Sequence, residues 1–419
     1  DFMRMIVGKG LSMDGLVIGL DLNDDYTRIS CYDREKSWTI PTVICRKKEE
    51  EVWLAGEEAY ACTLVGEGVI VDKLLKMVRK DGTSTIGGIR YTGRELLNLF
   101  VQKMLQYPKR EFGEERVAQL VISLQKVDAK MTDTLIYCAD FLGLPREQVH
   151  VISHMESFVY YVLSQKKDLW TNQVGLFDLS NQRLCYYEMK VQRGLRRNMV
   201  QADSEDMEEA FNLDILDSPS GSRLADRILC SCGERLLSKK LFSSIFLTGK
   251  GFDRQDWAGE FMKLACHRRK VFAEPVLFSR GAAYKGADCM QAATSYPYIF
   301  ICEGRLKSEV SIRVTRGQKE VWLVLASYGD NWYESKSTMD FILDDQEELE
   351  FTITPLDAKK KKLVRIPLTG FPKRPPRTTR IQMSLAFLDE RTMVTVIKDK
   401  GFGELFPATD ACVKQEVFL

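Results

Sequence analysis

Leu16-Val17-Ile18-Gly19-Leu20-Asp21-Leu22 is an apolar run that closes on an aspartate, and the polar turn Asn23-Asp24-Asp25 follows it. Residues 174–179, Val-Gly-Leu-Phe-Asp-Leu, repeat the pattern around Asp178 and are followed by Ser180-Asn181-Gln182. An apolar strand, a short polar turn and a second, alternating strand are typical of a β-hairpin. The recurrence of the pattern predicts two related halves that each open with a hairpin.

Composition limits the possible partners of the chain. Its 419 residues are 45% hydrophobic and 28% charged, with a formal net charge of +1, which is typical of a globular protein of two or three domains. So small a charge creates no field for nucleic acid or anionic lipid, and neither partner is expected. No window approaches the ~20 apolar residues of a membrane span. Most of the eleven cysteines lie in apolar runs, and no secretory leader is recognisable, so a cytoplasmic location is predicted.

Strands alternating with helical stretches predict an α/β architecture over the first 294 residues. We divide it into a first half at 14–165 and a second half at 166–294. The apolar period of 129–142 predicts a helix that ends before Gly143. The acidic stretch 203–209 predicts the solvated start of another helix.

The texture of the sequence changes near residue 295. The join at 295–304 contains an apolar run that is either a docking linker or a first β-strand. Period-two alternation then dominates, for example at 310–314 and 348–353. Residues 305–419 are therefore predicted to form an all-β antiparallel sandwich.

Several segments together carry a family resemblance. They are 366–372 (Ile-Pro-Leu-Thr-Gly-Phe-Pro) followed by 393–396 and 399–404, Asp72-Lys73-Leu74-Leu75, 247–251 (Leu-Thr-Gly-Lys-Gly) and 281–287. In this order, from Gly15 to Thr409, the chain resembles the seventy-kilodalton heat-shock chaperones. The resemblance implies an actin-like, two-lobed nucleotide-binding fold of duplicated, ribonuclease-H-like halves. The 70 residues between Asp178 and Gly249 leave room only for a reduced adenine-side subdomain. A peptide-binding β-sandwich would follow the nucleotide-binding fold, without the family's helical lid.

The resemblance also implies functional residues. Lys73 matches the catalytic lysine, and ATP or ADP with Mg²⁺ would be the cofactor, with Asp21 and Asp178 facing the metal. The candidates for nucleotide binding are Asp21, Asn23, Asp178, Ser180, Gly249 and Gly251. The candidates for peptide binding are Ile312, Val314, Phe341, Phe351 and Ile353. Alternation alone would place these last five in the core of the sandwich, and both interpretations stay open here.

The departures from the family pattern fall on the phosphate turns. Asn23-Asp24-Asp25 stand in place of a glycine and two threonines, and Ser180-Asn181-Gln182 in place of three glycines. Glycines let phosphate oxygens approach backbone N–H groups, and larger side chains obstruct that approach. Two like charges ~5 Å apart repel by roughly 3 kcal/mol at an effective dielectric of ~20, about two orders of magnitude in affinity.

These departures favour a chaperone-like, non-hydrolysing protein that binds a peptide or protein partner through its β-domain. The alternative is an active ATP-dependent chaperone with atypical phosphate loops. In the first case Asp21 and Asp178 are structural strand-end residues, and Lys73 is one exposed lysine among several.

Overall fold

The computed structural model describes residues 15–180, 183–192, 198–356 and 361–419. The described chain divides into two compact units. Unit 1 takes the chain up to Val191 together with Asp203–Pro297. Unit 2 takes Gln192–Ala202 and Tyr298–Leu419.

Unit 1 mixes strands and helices. Its strands are β1 (Leu16–Leu22), β2 (Tyr26–Cys31), β3 (Ser37–Pro41), β4 (Ile44–Lys47), β5 (Trp53–Ala55), β6 (Gly68–Val71), β7 (Thr83–Ile86), β8 (Ile89–Thr92), β9 (Val117–Leu124), β10 (Val149–Ser153), β11 (Gln173–Ser180), β12 (Arg183–Gln192, whose last residue is in unit 2), β14 (Phe242–Thr248) and β15 (Lys270–Ala273). Its helices are α1 (Glu57–Leu64), α2 (Leu74–Arg79), α3 (Gly93–Phe112), α4 (Ala129–Leu142), α5 (His154–Leu163), α6 (Pro219–Leu237), α7 (Gly259–Ala265) and α8 (Leu277–Cys289). The strand β13 (Asn198–Met207) begins in unit 2 and ends in unit 1.

Both predicted hairpins are confirmed. β1 pairs antiparallel with β2, so that Asp21 lies opposite Arg28, and parallel with β9 on its other side. β11 pairs antiparallel with β12, so that Asp178 lies opposite Cys185, and parallel with β14. A strand with neighbours on both sides and helices over its faces is buried throughout, which explains the continuous apolar runs of β1 and β11.

One helix from the second half of unit 1 packs directly on the first sheet. A Cβ added to Gly19 of β1 would lie 2.0 Å from the carbonyl oxygen of Ser279 in α8. A Cβ added to Gly281 would lie 1.9 Å from the carbonyl oxygen of Ser157 in α5. The hydroxyls of Ser30 and Ser279 form a 2.7 Å hydrogen bond at the same contact. Glycine at these positions permits a backbone approach that any side chain would prevent.

The fold-class prediction is wrong. The structure is mixed α/β, with 28% helix and 41% strand spread over six sheets, and its described part shows no two-lobed, actin-like ATPase organisation. Residues from both predicted halves belong to one compact unit. The physical reason lies in the packing of α8 on β1, because this contact merges segments that the duplicated pattern had assigned to separate ribonuclease-H-like halves.

The helix and strand predictions around the site had different outcomes. The predicted helix at 129–142 is confirmed as α4, with Asp128 accepting a hydrogen bond from the backbone N–H of Met131 and Gly143 at φ 67°. The predicted helix start at 203–209 is wrong, because these acidic residues continue β13 to Met207. Arg235 pairs with Glu205, and Arg183 pairs with Asp206, which balances the charge of an acidic strand.

Unit 2 is built from strands. They are β16 (Tyr298–Ile301), β17 (Ser308–Arg316), β18 (Lys319–Ala326), β19 (Ser337–Leu343), β20 (Glu348–Pro355), β21 (Lys362–Pro367), β22 (Thr379–Phe387), β23 (Thr392–Gly401) and β24 (Cys412–Phe418). Two four-stranded antiparallel sheets have the orders β18-β17-β20-β21 and β19-β22-β23-β24. Of the two interpretations of the 295–304 join, the strand is observed: β16 pairs in parallel with residues 198–201 of β13.

Candidate functional site

The first hairpin turn of unit 1 is closed by its own side chains. The Asn23 amide oxygen accepts hydrogen bonds from the backbone N–H groups of Asp25 and Tyr26, both at 3.0 Å, an Asx turn that fixes the hairpin. The Asp24 carboxylate accepts from the backbone N–H of Leu75 at 2.8 Å, at the start of α2. These two side chains therefore make contacts that the hairpin itself requires.

Two acidic residues of this hairpin have basic partners. Lys73 donates a short hydrogen bond to Asp25, and this bond raises the pKa of Lys73. Asp21 is buried at the end of β1, with its carboxylate 2.7 Å from Nε2 of His154. His154 begins α5 and stacks on the ring of Phe278, with 3.8 Å between centroids. The packing of α5 and α8 therefore positions the imidazole that contacts Asp21.

The second hairpin contains an arginine that bridges two carboxylates. Arg183 donates to Asp178 at 3.2 Å and to Asp206 at 3.0 Å. The Ser180 hydroxyl donates to the other oxygen of Asp178 at 3.2 Å. Burial of the guanidinium opposes its charge, but neighbouring groups that include Tyr187 and Asp178 outweigh burial and raise the pKa of Arg183. The carboxylate of Asp178 is thus already paired with a cation of the protein itself, Arg183.

The two candidate glycines serve contacts within the protein. Gly249 has φ 91°, and a Cβ there would lie 2.4 Å from the carbonyl oxygen of Leu179 and 2.7 Å from an oxygen of Asp178. A Cβ on Gly251 would lie 2.5 Å from the Leu179 side chain. Both positions need glycine because the strand β11 passes so close.

The structure brings the two hairpins together. The Tyr26 hydroxyl lies 3.4 Å from the Ser180 hydroxyl. The guanidinium of Arg28 lies 4.5 Å from the centre of the Tyr26 ring and 3.8 Å from the Asp253 carboxylate. Burial raises the pKa of both Tyr26 and Asp253. Tyr26, Arg28, His154 and Arg183 were not predicted from the sequence. The only signal for any of them is the hairpin register, which places Arg28 opposite Asp21.

The residues at the hairpins do not fit Mg²⁺ and a triphosphate. Mg²⁺ requires free oxygen ligands in octahedral geometry, whereas Asp178 holds Arg183 and Asp21 holds His154. The cation nearest the first turn, Lys73, is engaged by Asp25. Among the described residues no group of three or more histidine, cysteine or acidic side chains is arranged to hold a metal ion. Asn181 and Gln182, predicted to obstruct the second turn, lie outside the described residues.

The predicted peptide-binding residues differ in how deeply they are buried. Ile312, Phe351 and Ile353 are buried, and Ile312 lies directly opposite Phe351 between β17 and β20. Val314 and Phe341 are half-buried. The three buried residues form part of the interior of unit 2, as the core interpretation of the alternating pattern predicts.

Comparison with known families gives two matches. Residues 25–303 match the family described as "Family of unknown function (DUF5716) C-terminal", and residues 305–419 match the "Domain of unknown function (DUF8552)". Residue 304 alone separates the two matched segments. A search of curated proteins found no match. None of the helices in the described chain is both long and apolar enough to cross a membrane.

Proposed function

The chain belongs to the DUF5716 family of unknown function, and we propose that it is a chaperone-like, non-hydrolysing interaction protein that binds a peptide or protein partner through its C-terminal strands. One observation carries the proposal. Asp21 and Asp178, which the family resemblance assigned to the metal, are held by His154 and Arg183, and Lys73, which it assigned to catalysis, is held by Asp25.

The energetic cost of displacing these partners supports the proposal. Exposing Asp178 to a new ligand means breaking its buried pair with Arg183, at about 3 kcal/mol. Breaking the buried hydrogen bond between His154 and Asp21 costs about 1–3 kcal/mol more. A micromolar complex has only about 8 kcal/mol of binding free energy. The two rearrangements together would therefore weaken a micromolar nucleotide site to millimolar affinity or worse.

Exposed apolar side chains in unit 2 support binding through the C-terminal strands. They include Val321, Trp322 and Val324 of β18 and Ile342 of β19. Groups of large apolar side chains at the surface are typical of protein interaction sites. None of the eleven cysteines, which all lie in the described part of the chain, forms a disulfide. This supports a reducing compartment, and we propose the cytoplasm.

Calorimetric titration with ATP and ADP, each with and without Mg²⁺, tests the loss of nucleotide chemistry. We expect no binding heat at nucleotide concentrations below about 1 mM and no phosphate release. The matched variants are Lys73→Ala and, on the same surface, Lys76→Ala. Micromolar binding together with turnover that Lys73→Ala abolishes and Lys76→Ala preserves would overturn the proposal and establish the active ATP-dependent alternative.

Partner binding is tested separately with fluorescein-labelled extended peptides and fluorescence anisotropy on the whole chain. We expect binding that Mg²⁺ and ATP leave unchanged. Release of bound peptide on addition of ATP would contradict the expected loss of nucleotide binding, because it would require nucleotide binding to be coupled to the C-terminal strands.

A further inference from the structure

The strand β18 forms one edge of a unit 2 sheet and is apolar from Val321 to Ala326. β17 pairs with one side of β18, and within the described chain no strand pairs with its other side. Its exposed side chains include Val321 at 39%, Trp322 at 59% and Val324 at 44% exposure. A sheet edge presents unpaired backbone N–H and C=O groups, which natural proteins protect with charges, proline or a bulge. The segment from Val321 to Val324 has no such protection.

Each of the other three edge strands of the two unit 2 sheets has at least one charged residue inside the strand. The charged residues inside these strands are Asp340 in β19, Arg365 in β21, and Lys414 and Glu416 in β24. In β18 the charges stand only at the first two residues, Lys319 and Glu320. The register shift between β17 and β18 is a bulge at Leu325 of β18 itself, between Val324 and Ala326, and the pairing from Lys319 to Val324 is regular. β18 is therefore the edge best suited to accept another strand.

We propose that β18 binds an extended segment of another protein as an added β-strand, and that this segment carries acidic side chains beside the turn at 316–319. The charges at that turn identify the partner. Arg316 and Lys319 are exposed and have no carboxylate within 4.0 Å in the part of the chain that the structure describes. The neighbouring Arg313 is paired with Glu320 at 3.5 Å. Two uncompensated cations at one end of an apolar strand favour an apolar segment with an acidic end.

A second copy of this chain is a poorer binding partner for β18 than a segment with an acidic end. Antiparallel pairing of two β18 strands about Leu323 places Lys319 opposite the neutral Ser327 of the other copy. The cations at 316–319 would then stay uncompensated in both copies. Parallel pairing would bring the two basic turns side by side, which adds repulsion. The charge distribution thus favours a partner of different sequence.

This inference rests on the proposed function, since it names the surface through which the C-terminal strands bind. β18 replaces the predicted peptide-binding residues as the site of contact, because Ile312, Phe351 and Ile353 are buried. An added strand gains affinity from main-chain hydrogen bonds and specificity from the side chains that alternate between its two faces. Val321 lies opposite Val314 and Trp322 opposite Arg313, so the two faces offer the partner different surfaces.

The experiment uses the whole chain and two fluorescein-labelled peptides. One is Val-Thr-Val-Thr-Val-Thr-Asp-Glu, and the other ends in Lys-Lys in place of Asp-Glu. Val324→Lys introduces an edge-protecting charge at a half-exposed position, and Leu363→Lys on the edge strand β21 is the matched control. Lys319→Glu reverses one charge of the turn. Circular dichroism confirms that each variant folds.

We expect the acidic peptide to bind wild type and the Leu363→Lys protein alike, and Val324→Lys to weaken binding at least about tenfold. Lys319→Glu should weaken the acidic peptide and strengthen the basic one, a reversal that partial unfolding cannot produce. Equal binding of the acidic peptide to wild type and Val324→Lys would overturn the inference. If binding is then lost in Ile342→Lys, the proposed function survives at another surface. Binding of neither peptide removes both proposals.

Sedimentation velocity gives the remaining outcome. We expect a monomer at micromolar concentration for wild type and Val324→Lys. A wild-type dimer that Val324→Lys dissociates would show that a second copy covers β18, and would overturn the choice of a heterologous acidic partner.

Discussion

Replacement of Arg183 by methionine tests whether the chain's own cation stabilises the hairpin carboxylates. Arg183 donates to Asp178, whose side chain is 4% exposed, and to Asp206, whose side chain is 52% exposed. The exposed pair contributes about 0–1 kcal/mol. An uncompensated buried carboxylate costs about 3–5 kcal/mol, and the lower figure applies because the Arg183 side chain is 23% exposed. We therefore expect Arg183→Met to lower the free energy of unfolding by about 3 kcal/mol.

Urea unfolding followed by circular dichroism and tryptophan fluorescence measures this loss. The matched control is Arg254→Met, because Arg254 pairs with Asp256 entirely at the surface, and its effect should stay within about 0.5 kcal/mol. The double variant Arg183→Met with Asp178→Asn removes the stranded charge and should recover at least half of the loss. A loss below about 0.5 kcal/mol in Arg183→Met, or no recovery in the double variant, would refute the role of Arg183 as an internal counter-ion.

Two further predictions concern stability. Asp399 accepts two 2.8 Å hydrogen bonds from Arg374; although burial opposes its charge, these and other hydrogen bonds hold the pKa of Asp399 well below its ordinary value. Asp399→Asn should therefore lower the free energy of unfolding by about 3 kcal/mol at pH 7. The difference from wild type should shrink as pH falls below about 4, where the carboxyl of the unfolded chain becomes protonated. A pH-independent difference in urea midpoints would contradict this prediction. Gly281→Ala should lower the melting temperature on the order of 5 °C or more, because its Cβ would lie 1.9 Å from the Ser157 carbonyl oxygen. Gly259→Ala, where nothing lies within 4 Å, should leave the melting temperature unchanged or raise it slightly, and equal effects of the two alanines in calorimetric scans would contradict the packing argument.

Local elements of this protein follow from the sequence because they depend on neighbouring residues. The hairpins around Asp21 and Asp178 need only an apolar run, a polar turn and an alternating strand. The helix α4 needs an apolar period, with Asp128 before it and Gly143 after it. Alternation likewise predicts the strands of residues 305–419, since its period of two matches the pleat.

Tertiary structure alone decided which groups meet. The imidazole on Asp21 comes from a residue 133 positions away. Gly19 of β1 admits the backbone of α8, and Gly281 of α8 admits the backbone of α5. No local period encodes such partners, because a pairing between distant residues depends on how whole helices and sheets pack. The same packing merged the two predicted halves into one unit. The acidic segment 203–207 forms a strand because Arg183 and Arg235 pair with its carboxylates. Strand pairing within unit 2 places β18 at the edge of its sheet.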